Sequence, residues 1–350
     1  MVCSIRKPVA SRRGPAQEEK AVKRFGMMLL ALLLLLLPGW GQAEEAPVRE
    51  PCYEARAILD FHIRQAPDSA YRVGEVKAEA KVTLLEYGDD WCLVRYQDLE
   101  GWCKTDWLWE FHSLDAAKYP TPGYVPAIGA VMVTEETWIE GGDFEGLAVQ
   151  PGAMVCVTGV ELEYVLPVWR GTGGFPIMDG DFCPFVPWEE AQPGDLIGGF
   201  TTFYNEKTGG SLAENRAFNI QLGCSRIQGT VLEPGQPFSF NALCGPYTMS
   251  NGYQMAPNIS NDGKGYGGGV CQVTTTLYNA VLGLPLQVED WATHRKQGVF
   301  YVPISLDAAV GTYSDFIFTN SLPYPILLWA EAQNGAVTTL IYRMLDLPAA

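Results

Sequence analysis

The sequence predicts a multidomain protein in which small all-β barrels precede an α+β domain, built from a helix packed on an antiparallel sheet. Two observations lead to this fold class. Between Ala55 and Glu110, short β-rich segments alternate with turns, as in a small barrel. Beyond Gly199, helix-like spacing of apolar residues gives way to a run of short strand-like segments. The 350 residues are enough for two or three domains.

The first 43 residues resemble a secretory signal peptide and are not expected to belong to the fold. A long basic segment precedes the apolar run 27–37, which Pro38 and Gly39 end. Small residues at 41–43 then match the pattern that signal peptidase cuts. The apolar run is shorter than the ~20 residues that span a bilayer. We therefore expect an exported protein, extracellular or associated with the cell wall, which meets the membrane only transiently; an uncleaved signal anchor is the alternative.

The composition is acidic, which argues against a nucleic-acid partner. The whole chain carries a net charge of -16, and loss of the first 43 residues would make it -21. Such a chain repels phosphate backbones and anionic wall polymers alike. Binding to cell-wall peptide or glycan would therefore have to come from specific pockets. The sequence has no nucleotide-binding loop, no CxxC zinc pattern and no HExxH motif, so we expect no metal and no cofactor.

The first barrel is expected over residues 52–112, with strands at 82–85, 91–96 and 101–104. A tight turn between Gln97 and Asp98 would place Cys92 directly opposite Cys103, at a separation compatible with a disulfide. Bridges of this kind are common in exported proteins. The order KVTLLEYGDDWCLVRY, then EGWCKTDWL, resembles bacterial SH3-type domains. That resemblance implies a small barrel that holds the protein near the cell wall.

A second, degenerate barrel of the same type is expected over residues 125–190. The segment LAVQPGAMVCVTGVELEYVLPVW loosely parallels VGEVKAEAKVTLLEYGDDWCLVRY, and FCPFVPW closes it. Cys156 and Cys183 are candidates to staple this region, although the sequence leaves the connectivity open.

The segment GGGVCQVTTTLYNAVL at 267–282 carries the main candidate site. Glycines at 267, 268 and 269 permit a sharp turn that delivers Cys271 to the first turn of a helix. The positive end of the helix dipole favours the nucleophilic thiolate there. His294 is the candidate base and Asp307 the candidate orienting carboxylate, on two strands expected at 299–302 and 308–312 or close to them.

Other assignments remain open at the level of sequence. Gln272 or the amides of Gly267, Gly268 and Gly269 are candidates for an oxyanion hole or a ligand loop. Asp315 is an alternative to Asp307 for orienting the histidine. A free cysteine is often a small buried hydrophobe, and the Asp307 carboxylate could simply cap a turn. Both a thiol enzyme and a non-catalytic binding module are therefore consistent with these residues.

The C-terminal region resembles the VanW family, which takes its name from an accessory protein of vancomycin-resistance clusters. The resemblance rests on FTTFYN, VLEPGQPFSFN, GPYTMSNGY, GGGVCQVTTTLYNAVL, His294, YVPISLDAAV and DFIFTN, and it spans residues 198–345. It departs from the family pattern where NIQLGCSRIQG introduces a cysteine. It implies a cell-envelope protein that acts at or binds peptidoglycan through its SH3-like module. The alternative is an extracytoplasmic acyl transferase or amide hydrolase with a Cys271, His294 and Asp307 triad.

Overall fold

The computed structural model of the protein describes residues 49–115, 118–168, 172–177, 182–205, 211–259, 263–294, 298–333 and 335–345. The predicted signal segment, residues 1–43, lies outside these ranges. Within them, no helix has both the length and the apolar character needed to cross a membrane.

The N-terminal region is a strongly curved set of antiparallel strands, as the sequence predicts. Its strands are β1 (Tyr53–Ala57), β2 (Phe61–Arg64), β3 (Arg72–Val76), β4 (Lys81–Glu86), β5 (Trp91–Tyr96), β6 (Leu99–Lys104) and β7 (Leu108–Ser113). They form one sheet in the order β3-β2-β6-β5-β4-β1-β7. Ile63, Leu84 and Val94 are fully buried between its strands, so alternating side chains build a core of their own.

The β5–β6 hairpin has the predicted register but not the predicted disulfide. A two-residue turn with Gln97 at φ 54° sets Cys92 opposite Cys103. Both are free thiols. The Cys92 sulfur instead lies 3.3 Å from the Thr105 hydroxyl, so its side chain is engaged elsewhere. Burial raises the pKa of both thiols, which keeps them protonated and unreactive.

A β-rich middle region follows. Its strands are β8 (Gly129–Met132), β9 (Thr137–Trp138), β10 (Ala148–Val149), β11 (Met154–Val157), β12 (Gly159–Val160), β13 (Glu163–Leu166), β14 (Gly173–Pro176) and β15 (Phe182–Pro184). They form three small sheets, β11-β8-β15, β12-β13-β14 and β10-β9. Val131, Val155 and Phe175 join the hydrophobic core of the C-terminal domain. Cys156 is buried and Cys183 exposed, both as free thiols. The second SH3-like barrel stays a prediction.

The C-terminal domain combines helices with antiparallel sheets, which confirms the predicted α+β class. Its helices are α1 (Ser211–Ile227), α2 (Phe240–Cys244) and α3 (Val270–Leu282). Its strands are β16 (Leu196–Phe203), β17 (Thr230–Leu232), β18 (Pro237–Ser239), β19 (Met255–Pro257), β20 (Lys264–Tyr266), β21 (Gln287–Asp290), β22 (Ile317–Thr319), β23 (Ile326–Gln333) and β24 (Ala336–Arg343). The sheet β16-β24-β23-β17 supports α3 and α1, and β18-β22-β21 and β19-β20 lie beside it.

Helix α3 is buried on almost every side, which is unusual for a helix with three consecutive threonines. The buried hydroxyls are satisfied within the helix or by neighbours. Thr274 donates to the carbonyl of Val270 and Thr276 to that of Gln272, one turn back. The helix therefore tolerates these residues in the core, and its N-terminal end opens towards a cavity.

Two strands expected from the sequence are irregular loops in the structure. Residues 299–302 and 308–312 form no ladder. Tyr301, Val302 and Ala308 are nevertheless buried. These apolar residues belong to the hydrophobic core of the C-terminal domain, so their burial does not come from strand pairing. His294 accordingly lies in a loop, not on a strand.

Candidate active site

Cys271, His294 and Asp307 meet at the N-terminal end of helix α3. The Nδ1 atom of His294 lies 2.7 Å from Oδ2 of Asp307, and the backbone N–H of His294 donates to the same oxygen at 2.7 Å. His294 also interacts with Cys271 through a hydrogen bond and through charge. Because Nδ1 is engaged by the carboxylate, Nε2 is the ring nitrogen left for the sulfur. Thiol, imidazole and carboxylate thus follow one another as they do around an activated cysteine nucleophile.

The pKa of His294 is the main electrostatic feature of the site. Burial alone would lower this pKa, but the hydrogen bonds and negative charges of Asp307 and Cys271 outweigh burial and raise it to about 10. The ring therefore stays protonated at neutral pH while it faces these two groups. A protonated imidazole beside the sulfur stabilises negative charge that develops on it.

The hydrogen bonds to the Asp307 carboxylate described above both come from His294. The Asp307 side chain is 1% exposed, and its second oxygen, Oδ1, has no hydrogen-bond partner within the described part of the chain. Helix α3 holds the backbone on both sides of it. Thr275 Oγ1 accepts a hydrogen bond from the N–H of Ala308 at 2.9 Å, and Asn279 Nδ2 donates to the carbonyl of Leu306 at 2.7 Å. A buried carboxylate in a clamped loop is thereby fixed in its orientation.

Asp315, the alternative carboxylate, lies in a different environment. It accepts hydrogen bonds from Ser239 Oγ at 2.6 Å, from the N–H of Asn241 at 2.9 Å and from the N–H of Phe316 at 2.7 Å. It thus stabilises the start of helix α2. The structure brings Asp307, and not Asp315, to His294.

The glycine turn that precedes Cys271 is required by close packing. Gly267 and Gly269 have φ angles of 77° and 104°, in the left-handed region that favours glycine. A Cβ atom on Gly268 would lie 2.3 Å from the carbonyl oxygen of Pro257 and 2.8 Å from that of Ala256. The three residues therefore let the backbone pass strand β19 and enter helix α3 at Val270, one residue before Cys271.

Replacing Gly268 with alanine is expected to lower the free energy of unfolding by about 2 kcal/mol or more, because the new methyl group meets two backbone carbonyls. Gly311 lines the same cavity and has nothing within 4 Å of an added Cβ, so Gly311→Ala should stay within about 0.5 kcal/mol. Urea titrations of both variants measure the difference. Equal stability of the two variants would contradict the close packing of Gly268 against the carbonyls of Pro257 and Ala256.

Gln272 does not offer its side chain to the cavity. Its Nε2 donates to Thr202 Oγ1 at 3.1 Å and to the carbonyl of Phe203 at 2.9 Å, and its Oε1 accepts from Arg216 Nη2 at 2.6 Å. Its oxyanion-hole or ligand role, expected from the sequence, therefore does not fit the side chain. It ties helix α3 to strand β16 and to helix α1 instead.

Backbone N–H groups are the oxyanion donors that remain. The N–H groups of Gly267 and Gly268 point to the carbonyls of Gln254 and Gly265, at 3.3 and 3.4 Å. The N–H of Cys271 lies in the first helical turn, where no intrahelical acceptor exists. The N–H of Val310 lies 3.5 Å from the Cys271 sulfur. Because the Val310 N–H points at the sulfur, whose thiol also lies 3.5 Å from the Val310 carbonyl, the N–H of Cys271 is the candidate oxyanion donor.

A cavity of about 830 Å³ opens onto the cysteine and the histidine. Its size suits a small molecule or a segment of peptide. The glycine turn forms one side, and aromatic side chains form much of the rest: Tyr247, Tyr266, Phe300 and Tyr301. Arg216 of helix α1 also lines it. The sequence analysis missed Arg216, whose only signal there was a basic residue in the helical segment that becomes helix α1.

The N-terminal sheet touches the loops that carry the histidine and the aspartate. Glu110 of β7 accepts a hydrogen bond from Thr293 Oγ1 at 2.9 Å, and its N–H donates to Ser305 Oγ at 2.9 Å. Its carboxylate also pairs with Arg56 Nε at 2.7 Å. Contacts from one residue therefore reach the neighbours of both His294 and Asp307.

The variant Glu110→Ala is expected to lose about 1–2 kcal/mol of stability and to slow alkylation of Cys271, because the loop that carries His294 loses its anchor at Thr293 and Arg56 loses its partner. Glu100→Ala is the matched control, since the Arg95–Glu100 pair of the same sheet is exposed and should contribute under about 0.5 kcal/mol. Unfolding curves and alkylation rates are compared for the two variants. Unchanged alkylation in Glu110→Ala would show that the sheet does not order the site.

Two segments of the chain match known protein families. Residues 215–342 match the family model described as VanW like protein, and residues 61–108 match the bacterial SH3 domain. The first match contains the glycine turn and all three residues of the candidate triad. No solved structure shows a significant match to the chain.

Two relatives share the C-terminal similarity. The uncharacterized protein YoaR of Bacillus subtilis (strain 168) is 36% identical over 171 residues, which cover 48% of this chain and 52% of YoaR. The vancomycin B-type resistance protein VanW of Enterococcus faecalis (strain ATCC 700802 / V583) is 31% identical over 96 residues, 26% of this chain and 34% of that protein. The matched region thus spans about half of YoaR and about a third of VanW. This chain carries a C-terminal VanW-like domain and an N-terminal bacterial SH3 domain.

Proposed function

We propose that the protein is a cysteine-dependent acyl transferase or amide hydrolase that acts on cell-wall peptide. Cys271 is the nucleophile, His294 the proton carrier and Asp307 the residue that orients it. One observation carries the proposal: the 2.7 Å contact between His294 Nδ1 and the buried Asp307 carboxylate, beside a cysteine at a cavity. A cysteine that only fills the core needs neither an oriented histidine nor an open cavity.

The proposed reaction proceeds through a thioester. The Cys271 thiolate attacks the carbonyl carbon, forming a C–S bond and an oxyanion that faces the N–H of Cys271. His294 gives its proton to the amine as the C–N bond breaks, and the acyl group remains on sulfur. Water or a second amine then attacks the thioester, His294 takes the proton of that nucleophile, and the thiolate leaves.

The VanW-like and SH3 domains support a role at the cell wall, and we propose that the protein works there after export. The SH3 domain would hold the chain on wall material. Because the chain has a net charge of -16, this binding should not depend on bulk charge attraction. Co-sedimentation of the full chain with purified wall sacculi should therefore persist in high salt. Failure to sediment would contradict the wall-binding part.

The enzymatic part is tested with purified muropeptides. Products are followed by mass spectrometry, and the peptide that contains Cys271 is searched for an added acyl mass after acid quenching. We expect both a shortened or transferred peptide and a thioester on Cys271, and no adduct on the exposed Cys183. Absence of both product and adduct across the wall peptides would contradict the proposed reaction, whether or not the chain binds sacculi.

A further inference from the structure

The described lining of the cavity beside Cys271 lacks the acidic side chains that dominate the protein as a whole. The chain has 40 acidic against 24 basic side chains. Yet no aspartate or glutamate is among the described residues that line this cavity. Among these described residues the basic groups are Arg216 and His294, and His294 is already paired with the buried carboxylate of Asp307. Arg216 is therefore the group at the cavity wall that can attract an anionic group of a bound molecule.

Arg216 has unused capacity for hydrogen bonding. Its Nη2 donates to Gln272 Oε1 at 2.6 Å, which holds the guanidinium at the cavity wall. Within the described ranges it forms no ion pair with a carboxylate. The guanidinium carbon lies 5.6 Å from the ring centroid of Tyr204 and 5.8 Å from that of Phe300, so aromatic rings flank its planar group. A guanidinium has five N–H donors, and most of them remain for a ligand.

The position of Arg216 connects this capacity to the chemistry. It is close enough to Cys271 for the two charges to interact, and burial lowers its pKa from a very high ordinary value without removing its charge. A planar guanidinium in a half-buried site matches a carboxylate through two parallel hydrogen bonds. The attraction is stronger there than on an open surface, because less water screens it.

We propose that Arg216 binds a carboxylate of the substrate, so that the enzyme acts on peptides that carry a carboxylate next to the carbonyl attacked by Cys271. This inference rests on the proposed function of Cys271 and adds the class of substrate. A peptide chain terminus and an acidic side chain are the two sources of such a carboxylate.

Two small alkylating reagents test the inference without knowledge of the substrate. Iodoacetate and iodoacetamide react with a thiolate in the same way, forming a C–S bond and releasing iodide, but only iodoacetate carries a carboxylate. Rates at Cys271 and at the exposed Cys183 are read from the same protein by peptide mass spectrometry. We expect the iodoacetate to iodoacetamide ratio at Cys271 to exceed that at Cys183 by about tenfold or more.

The variant Arg216→Gln should lower the ratio at Cys271 by about tenfold, with a much smaller fall in the iodoacetamide rate, because the neutral reagent senses only the effect of Arg216 on the sulfur. Arg216→Lys should keep part of the preference, because it retains the charge but not the planar fork. The exposed Arg72 provides a control, since Arg72→Gln makes the same change in net charge far from the cavity.

The outcomes separate the two proposals. A Cys271 that reacts with neither reagent in the wild type contradicts the proposed function itself. A reactive Cys271 whose ratio is unaffected by Arg216→Gln overturns only the carboxylate site. Loss of both rates together in that variant also overturns it, because Arg216 would then maintain the site through Gln272 and not recognise an anion.

Peptide competitors identify the source of the carboxylate. Acetyl-alanyl-alanine carries a terminal carboxylate, acetyl-glutamyl-alanine amide carries one on a side chain, and acetyl-alanyl-alanine amide carries none. We expect at least one of the two acids to slow alkylation of Cys271 by iodoacetate, and the neutral amide to leave it unchanged. The acid that protects better names the source. Lack of protection by both acids would overturn the assignment to a peptide carboxylate.

Discussion

The variant Cys271→Ser is expected to lose turnover of cell-wall peptide by about 10⁴-fold or more, because a hydroxyl paired with a protonated histidine is a far weaker nucleophile than a thiolate. The fold should be unaffected, since serine is slightly smaller and its hydroxyl can occupy the position of the sulfur near the N–H of Val310. Initial rates with the muropeptide that gives product, together with urea unfolding curves, measure both effects.

Cys183→Ser is the matched control for this variant. Cys183 is exposed on strand β15, whereas Cys271 is partly buried at the cavity. We expect Cys183→Ser to retain the wild-type rate and stability. If Cys271→Ser kept more than about a tenth of the wild-type turnover, the sulfur would not be the nucleophile, since removal of a nucleophile costs far more than that.

The variant Asp307→Asn is expected to reduce turnover by about 10³-fold or more, because an amide carries no negative charge to hold the protonated ring in its orientation. It should also lower the pKa of His294 from about 10 towards its ordinary value, since one of the groups that stabilise the imidazolium is gone. The ring would then lose its proton as the pH rises through a lower range than in the wild type. The chain contains only three histidines, so an NMR titration of the imidazole signals measures the shift.

Asp315→Asn separates orientation of the histidine from stability. Asp315 supports helix α2 through Ser239 and the N–H of Asn241. We expect this variant to lose about 1–2 kcal/mol of unfolding free energy, with the titration of His294 unchanged. A shift of the His294 titration in Asp315→Asn, and none in Asp307→Asn, would reverse the assignment of the two carboxylates.

Some features of the site followed from local sequence. The glycine turn before Cys271 predicts where helix α3 begins, because the backbone angles of Gly267 and Gly269 depend on the residues themselves. The short turn at Gln97 likewise sets the register that places Cys92 opposite Cys103. Opposition across a ladder did not produce the disulfide, because the side chain of Cys92 turns to Thr105, which only the folded hairpin brings within reach.

The loops between His294 and Val310 could not be read correctly from their pattern. They contain short apolar runs like those of buried strands, but these residues are buried in the core of the C-terminal domain, and the loop around Asp307 is held by hydrogen bonds to helix α3. Strand β16, in contrast, is a strand that the sequence analysis did not predict. It is buried along its whole length and contains two glycines, so it lacks the alternation by which half-buried strands are recognised.

By itself, the sequence determined the order of the domains, the start of the cysteine helix and the residue types of the triad, because these depend on neighbours along the chain. The tertiary structure decided which carboxylate orients His294, turned Gln272 into the core and brought Arg216 to the cavity. Each of these contacts joins segments far apart in the chain. Which of two similar side chains arrives at a site depends on how helix α3 packs against the sheet and the loops, and no local pattern encodes that.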